Sequence, residues 1–301
     1  MDRAVDSRDN VLNELAEIEE WSARMTPLPA CHNNDDYMTI AVELMVRTTM
    51  LLTFVASLAP NEATLRDGVT QRRAIVLGLL VRMRKLCHAL LMHVVEKQRD
   101  LCTIFDRLIL ETETKMTYLM AARRSSFRHF VQISFKPERE MLNDLRQKRA
   151  TRKLSPIEKR MLLSVRRHLR DDRISVKWLQ QNRTWDLDGK NFRQLFAALG
   201  REGGYSYGFA IGSHWVHGSW FDIKTYHLRK EGRLYKAKLD YQIPDPRNIC
   251  PVAIICISVV LRYLKWAKVD PERHVGAIVR RVLAVSEALD EAHESSLQKR
   301  S

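Results

Sequence analysis

Two histidines and three serines lie in a short stretch rich in glycine and aromatic residues, YSYGFAIGSHWVHGSW, at positions 205–220. If this stretch is a helix, Ser213 and His217 lie one turn apart on the same face. Histidine is the side chain best suited to donate and accept protons near neutral pH. The stretch is therefore the first candidate for a functional site.

A second candidate lies in the sequence DRLILETETKMTYLM, where Arg107 and Glu111 are four residues apart and can pair on one face of a helix. If the protein acts on RNA, as a family resemblance of these motifs implies, metal-independent cleavage needs an acid, a base and a cation for the charge on phosphorus. His217 would supply the acid or base, Arg107 would hold the phosphate, and Glu111 would orient either of them. Ser213 would bond the ring or the substrate. We therefore predict Arg107, Glu111, Ser213 and His217 as catalytic residues.

The alternative hypothesis gives the same residues a structural role. His217 would be a buried histidine satisfied by Glu111 or Ser213, and the protein would be a non-catalytic module that binds nucleic acid or a protein. Metal binding by His214 and His217 is disfavoured, because no cysteine or carboxylate stands nearby to complete the ligand shell. The sequence also lacks a glycine-rich phosphate loop and a Gly-x-Ser-x-Gly elbow, so no cofactor is predicted.

A cluster of basic residues dominates the charge distribution. The net charge is +14, and positions 146–170 hold ten basic residues against one acid, Glu158. The basic residues are Arg146, Lys148, Arg149, Arg152, Lys153, Lys159, Arg160, Arg166, Arg167 and Arg170. Such a cluster can bind phosphates by counterion release, or it can be a solvated helix face beside a basic linker. We expect contact with RNA or another nucleic acid here. A protein partner, or a homodimer through the apolar segment 249–264, is a further alternative.

The hydrophobic pattern predicts an all-α protein, a multi-helix bundle. Apolar residues make up 45% of the chain, and long segments repeat them with a helical period. Helices near 65–96 and 99–130 are expected to pair as an antiparallel hairpin, and residues 227–242 to form one short extended or hairpin excursion. We expect a single domain, 1–301, with N-terminal helices at 1–60, a motif-bearing core at 64–222 and C-terminal helices at 243–298.

Local signals predict where several helices begin. The first helix is expected to start at Asp9 or Asn10, and Asp35 or Asp36 to cap the second. The sequence SPIE at 155–158 combines a capping serine, a proline at the first helical position and a glutamate that completes a capping box.

The cysteine pattern and the first residues favour the cytoplasm. Five cysteines show neither disulfide nor zinc spacing, and the beginning of the sequence lacks the apolar region of a secretory signal. Apolar runs from positions 74 and 249 are interrupted by charges or are shorter than a membrane span of about 20 residues, so we expect core helices and no membrane contact.

These motifs, taken in order, resemble an uncharacterised family of bacterial, mostly helical proteins. The resemblance covers roughly residues 70–222. The matching residues are Arg107, Glu111, Tyr205, Ser213, His217, Gly218 and Ser219. That family in turn remotely resembles the helical ribonucleases of the HEPN type, which occur in toxin and phage-defence systems and carry an Arg followed after four to six residues by a His. Arg124 and His129 fit this spacing, but both residue types are frequent enough for chance matches, so we do not assign His129.

Overall fold

The computed structural model describes residues 2–59, 64, 67–206, 212–270 and 272–299, without the side chains of residues 2–12 and of Trp215. Within these residues the chain is mainly helical, with one two-stranded sheet, which confirms the predicted all-α class. The long helices are α1 (Asp2–Arg24), α2 (Asn34–Ser57), α3 (Gln71–Val95), α4 (Arg99–Ala121), α5 (Arg124–Ile133), α6 (Lys136–Thr151) and α7 (Pro156–Asp171). The short helices are α8 (Val176–Gln181), α9 (Phe192–Ala198), α10 (Glu202–Gly204), α11 (Ser213–Val216) and α12 (Trp220–Asp222), followed by a π-helical turn (Ile223–His227). The chain continues with β1 (Leu228–Glu231), β2 (Leu234–Ala237), a 3₁₀ turn (Pro246–Asn248), α13 (Cys250–Ala267) and α14 (His274–Gln298).

The chain divides into two compact units. Unit 1 comprises Met1–Met120 and Gly203–Ser301, and unit 2 comprises Ala121–Glu202. The single domain expected from the sequence stays a prediction, because it depends on whether the two units unfold together.

The core of unit 1 forms around α2, which packs against α1, α3, α13 and α14. Leu44, Met45, Leu51 and Leu52 on α2 are completely buried. Each such side chain contributes about 1.5 to 3 kcal/mol relative to full exposure. The apolar α2 therefore organises the bundle that carries α3 and α4.

The starts of the first two helices differ from the prediction. Asn33, rather than Asp35 or Asp36, is the N-cap of α2: its Oδ1 accepts the backbone N–H groups of Asp35 at 2.8 Å and Asp36 at 3.0 Å. The carboxylate of Asp36 in turn accepts the N–H of Asn33 at 3.3 Å, and these reciprocal hydrogen bonds form a capping box. Helix α1 begins at Asp2, ahead of the expected Asp9 or Asn10.

The predicted antiparallel pairing of α3 and α4 is visible in their side-chain contacts. The rings of His93 and Phe105 stack at 5.1 Å near the connection, and Arg82 Nε donates to Thr112 Oγ1 at 3.2 Å farther along. Earlier residues of α3 thus contact later residues of α4, so the two helices run antiparallel. Helix α4 ends at Ala121 rather than near position 130, and the rest of the predicted helix belongs to α5.

Unit 2 has its own small core, which includes Phe135, Leu142, Val165, Leu169 and Leu179. Phe135 directly precedes α6, Leu142 lies on α6, Val165 and Leu169 lie on α7, and Leu179 lies on α8. One face of α7 is therefore buried, and its opposite face is exposed to solvent.

The capping box predicted at 155–158 starts α7. Ser155 Oγ accepts the N–H of Glu158 at 3.2 Å, and Glu158 Oε2 accepts the N–H of Ser155 at 2.8 Å. Pro156 occupies the first turn, where its missing N–H leaves no helical hydrogen bond unmade.

The predicted hairpin excursion is the β1–β2 pair, which is antiparallel with Leu228 opposite Ala237 and Glu231 opposite Leu234. Two residues connect the strands, and the first of them, Gly232, has φ +61°. A two-residue turn with positive φ at its first position favours glycine.

Two helical segments, α2 and Pro246–Ala267, are long and apolar enough to cross a membrane by length and composition alone. In each, 56% of the apolar window is buried in the protein. Core helices of soluble proteins pass the same test, so this is weak evidence for a membrane location.

Candidate functional site

The residues predicted as the catalytic pair, Ser213 and His217, lie on and directly after the single turn α11. The N–H of His217 donates to the carbonyl oxygen of Ser213 at 3.2 Å, which confirms the one-turn spacing. A continuous helix over 205–220 is wrong for the described part of this stretch, because Gly218 has φ +58° and turns the chain. Residues 207–211, including Gly208, lie outside the described residues.

The imidazole of His217 is exposed and makes no hydrogen bond with any residue that the structure describes. No described residue therefore holds this ring in place. A lock between two buried helices would instead need a partner for this ring.

Neighbouring residues form the polar contacts of this stretch. Ser219 Oγ lies 2.9 Å from His214 Nδ1 and also accepts the N–H of Asp222 at 3.4 Å. The carboxylate of Asp222, which is buried, lies 3.6 Å from Nε2 of His227. The serine predicted to contact a histidine is Ser213, but the serine that does so among the described residues is Ser219. Ser219 is the N-cap of α12, and serine is favoured at this position, so the sequence could have indicated its role.

Arg107 and Glu111 are half-buried on α4. Glu111 Oε1 forms an ion pair with Lys115 Nζ at 2.6 Å, one turn further along the helix. Since the His217 ring has no polar contact within the described residues, the convergence of Arg107, Glu111, Ser213 and His217 stays a prediction.

A buried polar centre that was not predicted from the sequence lies two residues beyond Glu111. Glu113 is 1% exposed; its Oε1 accepts a hydrogen bond from Thr117 Oγ1 at 2.9 Å and lies 3.3 Å from Arg262 Nη1 on α13. Two signals were present. Glu113 falls within the buried stripe of α4, between Ile109 and Met116, where a carboxylate needs a partner, and Arg262 interrupts the apolar sequence of α13.

Further buried groups lie on α4, on α3 and on α13. Asp106 Oδ1 is buried and accepts no hydrogen bond from a described residue, and burial raises the pKa of Asp106 well above its ordinary value. The sulfur atoms of Cys87 and Cys256 lie 3.4 Å apart, and this hydrogen bond together with burial raises the pKa of Cys256. A thiol with a raised pKa is a poor nucleophile, so Cys256 belongs to the core rather than to a reactive site.

The basic cluster is largely exposed on α6, on α7 and in the segment between them. Of its ten cations, only Lys148 and Arg152 form ion pairs within the described residues, with Asp144 and Glu158. A bidentate hydrogen bond from Arg152 and the N–H of Ser155 lower the pKa of Glu158 to about 2. Eight exposed cations are left without a described acidic partner.

Five of these eight cations share one face of α7. They are Lys159, Arg160, Arg166, Arg167 and Arg170, and they fall within about a third of the helix circumference. Val165 and Leu169 on the opposite side are buried in the core of unit 2. The sequence of α7 thus fixes which side faces solvent, and we call these five residues the basic face of α7.

His129 has a structural role in unit 2. Its Nδ1 accepts the backbone N–H of Asp188 at 2.9 Å, so it holds the loop in which Asp188 has φ +53°. This contact agrees with leaving His129 out of the predicted catalytic residues.

These observations define the class: a basic, all-α protein with a cationic helix face in unit 2 and an exposed histidine turn in unit 1. Within the residues described, no group of three or more His, Cys, Asp or Glu side chains is placed to hold a metal ion. The chain belongs to the family described as "Family of unknown function (DUF5677)", whose model matches residues 73–234. The matched region includes the basic face of α7, the four predicted catalytic residues, and β1 with the first residue of β2, Leu234. Comparisons with curated proteins and with solved structures gave no match.

Proposed function

We propose that this protein binds RNA and that the basic face of α7 holds the RNA backbone. The observation that carries the proposal is the set of five exposed cations on one side of a helix, without a described acidic partner. Phosphates spaced along a strand can replace the missing counter-charges, and the released counterions favour binding.

The position of these cations supports an RNA-binding surface rather than an ordinary solvated helix face. Solvated helix faces usually alternate acids and bases, which pair along the helix. On α7 the acid of the first turn, Glu158, is already engaged by Arg152 and Ser155. The remaining cations of α7 repel one another, a cost that a bound polyanion removes.

Catalysis is a second candidate function, supported by the exposed His217. In this proposal His217 transfers a proton during RNA cleavage, Arg107 holds the phosphate, and Glu111 and Ser213 orient these groups. The toxin or phage-defence role implied by the remote HEPN resemblance belongs to this candidate, and both candidates place the protein in the cytoplasm. A non-catalytic module that only binds RNA is the alternative.

The binding proposal is tested by fluorescence anisotropy with a labelled RNA. Arg166→Glu combined with Arg167→Glu should weaken binding by about tenfold or more at ~0.1 M salt. The matched control combines Lys265→Glu with Arg280→Glu, two exposed cations of unit 1, and changes the net charge by the same amount. Equal affinities of the two double variants would overturn the proposal, since total charge alone would then explain binding.

A further inference from the structure

A second surface, on the β1–β2 hairpin of unit 1, combines exposed rings with cations. Residues 223–238 contain six basic residues and one acid. The basic residues are Lys224, Arg229, Lys230, Arg233, Lys236 and Lys238. Only Lys236 has an ion-pair partner within the described residues, namely Glu231. The hairpin is therefore strongly cationic.

Aromatic rings are exposed at the same place. Trp220 is 57% exposed and Tyr235 is 41% exposed, and their rings meet edge to face with centroids 5.5 Å apart. Large aromatic side chains are usually buried in the core of a folded protein, so a pair of exposed rings needs another explanation. Each ring keeps much of its surface open to a ligand.

The register of the strands places a cation beside these rings. Lys230 lies directly opposite Tyr235 in the antiparallel pair, so both side chains project from the same face of the hairpin. Cross-strand neighbours of this kind are about 5 Å apart at Cβ. One face thus presents Trp220, Tyr235 and Lys230 as adjacent rings and a cation.

We propose that this face, formed by Trp220, Tyr235 and Lys230, binds single-stranded RNA by stacking bases on the two rings while the hairpin cations hold phosphates. Aromatic platforms in a basic setting are typical of proteins that bind single strands, because every base has a face that can stack. The inference rests on the proposed RNA-binding function and adds a preference for unpaired RNA, since bases within a duplex cannot stack on a protein ring.

Charge and geometry favour RNA over other occupants. A second copy of this chain would bring the same cations together at a symmetric contact, which is unfavourable. A bilayer would favour one continuous apolar wedge, but the exposed apolar residues are divided: Leu234, 75% exposed, projects from the face opposite Tyr235 and shares it with Arg229 and Lys236.

The test compares a single-stranded RNA of about 15 nucleotides with a duplex of the same sequence. Trp220→Ala and Tyr235→Ala should each weaken binding of the single strand by about tenfold and leave duplex binding unchanged. Tyr235→Phe keeps the ring and should bind like the wild type. Leu234→Ala removes an exposed apolar side chain from the other face and should also bind like the wild type.

Other outcomes separate this inference from the proposed function. If Arg166→Glu with Arg167→Glu weakens both RNA forms while Trp220→Ala and Tyr235→Ala change neither, RNA binding stands and the hairpin inference fails. If the wild type binds neither form, both fail. The inference is also overturned if Leu234→Ala weakens binding as much as Trp220→Ala. It is likewise overturned if Trp220→Ala abolishes sedimentation with phosphatidylserine vesicles but leaves RNA binding intact.

Discussion

Arg262 on α13 reaches Glu113 on α4, with Nη1 3.3 Å from Glu113 Oε1 and 3.2 Å from Thr117 Oγ1. The two charged residues are 149 positions apart in the chain. The carboxylate is buried, whereas the arginine side chain is 43% exposed. This contact therefore supplies the counter-charge for an acid in the core of unit 1 and ties α4 to α13.

Arg262→Met should lower the free energy of unfolding by about 1 to 3 kcal/mol, because it removes a charged partner from buried Glu113. Adding Glu113→Gln should recover part of this loss, since the side chain at position 113 then carries no charge. Urea unfolding of the wild type, both single variants and the double variant measures the coupling. Strictly additive losses would contradict the pairing.

Asp106→Asn should stabilise the protein more at pH 7 than at pH 4. Burial raises the pKa of Asp106 well above its ordinary 3.8, so the folded protein holds a proton that the unfolded chain releases. The stability from this proton is complete below pH 3.8 and is lost as the pH rises through the folded pKa. Melting temperatures of both proteins at the two pH values test this; a gap independent of pH would refute it.

Glu158→Gln should lower Tm by about 2 to 4 °C at pH 7 and by clearly less at pH 2. Hydrogen bonds from Arg152 and Ser155 hold the pKa of Glu158 at about 2, below its ordinary 4.5. The carboxylate therefore contributes stability above pH 4.5, and this is lost as the pH falls toward 2. Thermal melts across this range measure the change, and an equal Tm difference at both ends would contradict it.

His217→Ala should abolish cleavage of total RNA in the presence of EDTA if the catalytic proposal holds, and Tm should stay unchanged because the ring is exposed. His274→Ala, which removes an exposed histidine from α14, is the matched control and should cleave like the wild type. Cleavage retained in His217→Ala would rule out His217 as the catalytic group, whereas no cleavage by the wild type would leave the non-catalytic binding module as the account of this protein.

The structural features that depend only on residues close together in the chain were predictable from the sequence. The capping box of Ser155 and Glu158 and the turn at Gly232 both follow from interactions within four residues. The break after Ala121 was not predictable in this way, because MAARRSSFRH contains neither glycine nor proline. Burial of Ser126 and Phe127 on the first turn of α5 accompanies that break.

The site was predictable only in part, for a similar reason. The basic face of α7 follows from helical spacing, and its exposure follows from the buried Val165 and Leu169. The pairing of Glu113 with Arg262 joins distant segments, so that only the fold brings them together. The glutamate predicted as a functional residue is Glu111, but the helical period places Glu113 toward the core and Glu111 beside Lys115.

The salt dependence of RNA binding tests the central claim most directly. The slope of log K against log salt concentration reports how many phosphates the protein neutralises. Arg166→Glu with Arg167→Glu should make this slope shallower by about two units, while Lys265→Glu with Arg280→Glu should leave it unchanged. An identical slope for the wild type and the α7 variant, or no binding by the wild type at low salt, would contradict the account.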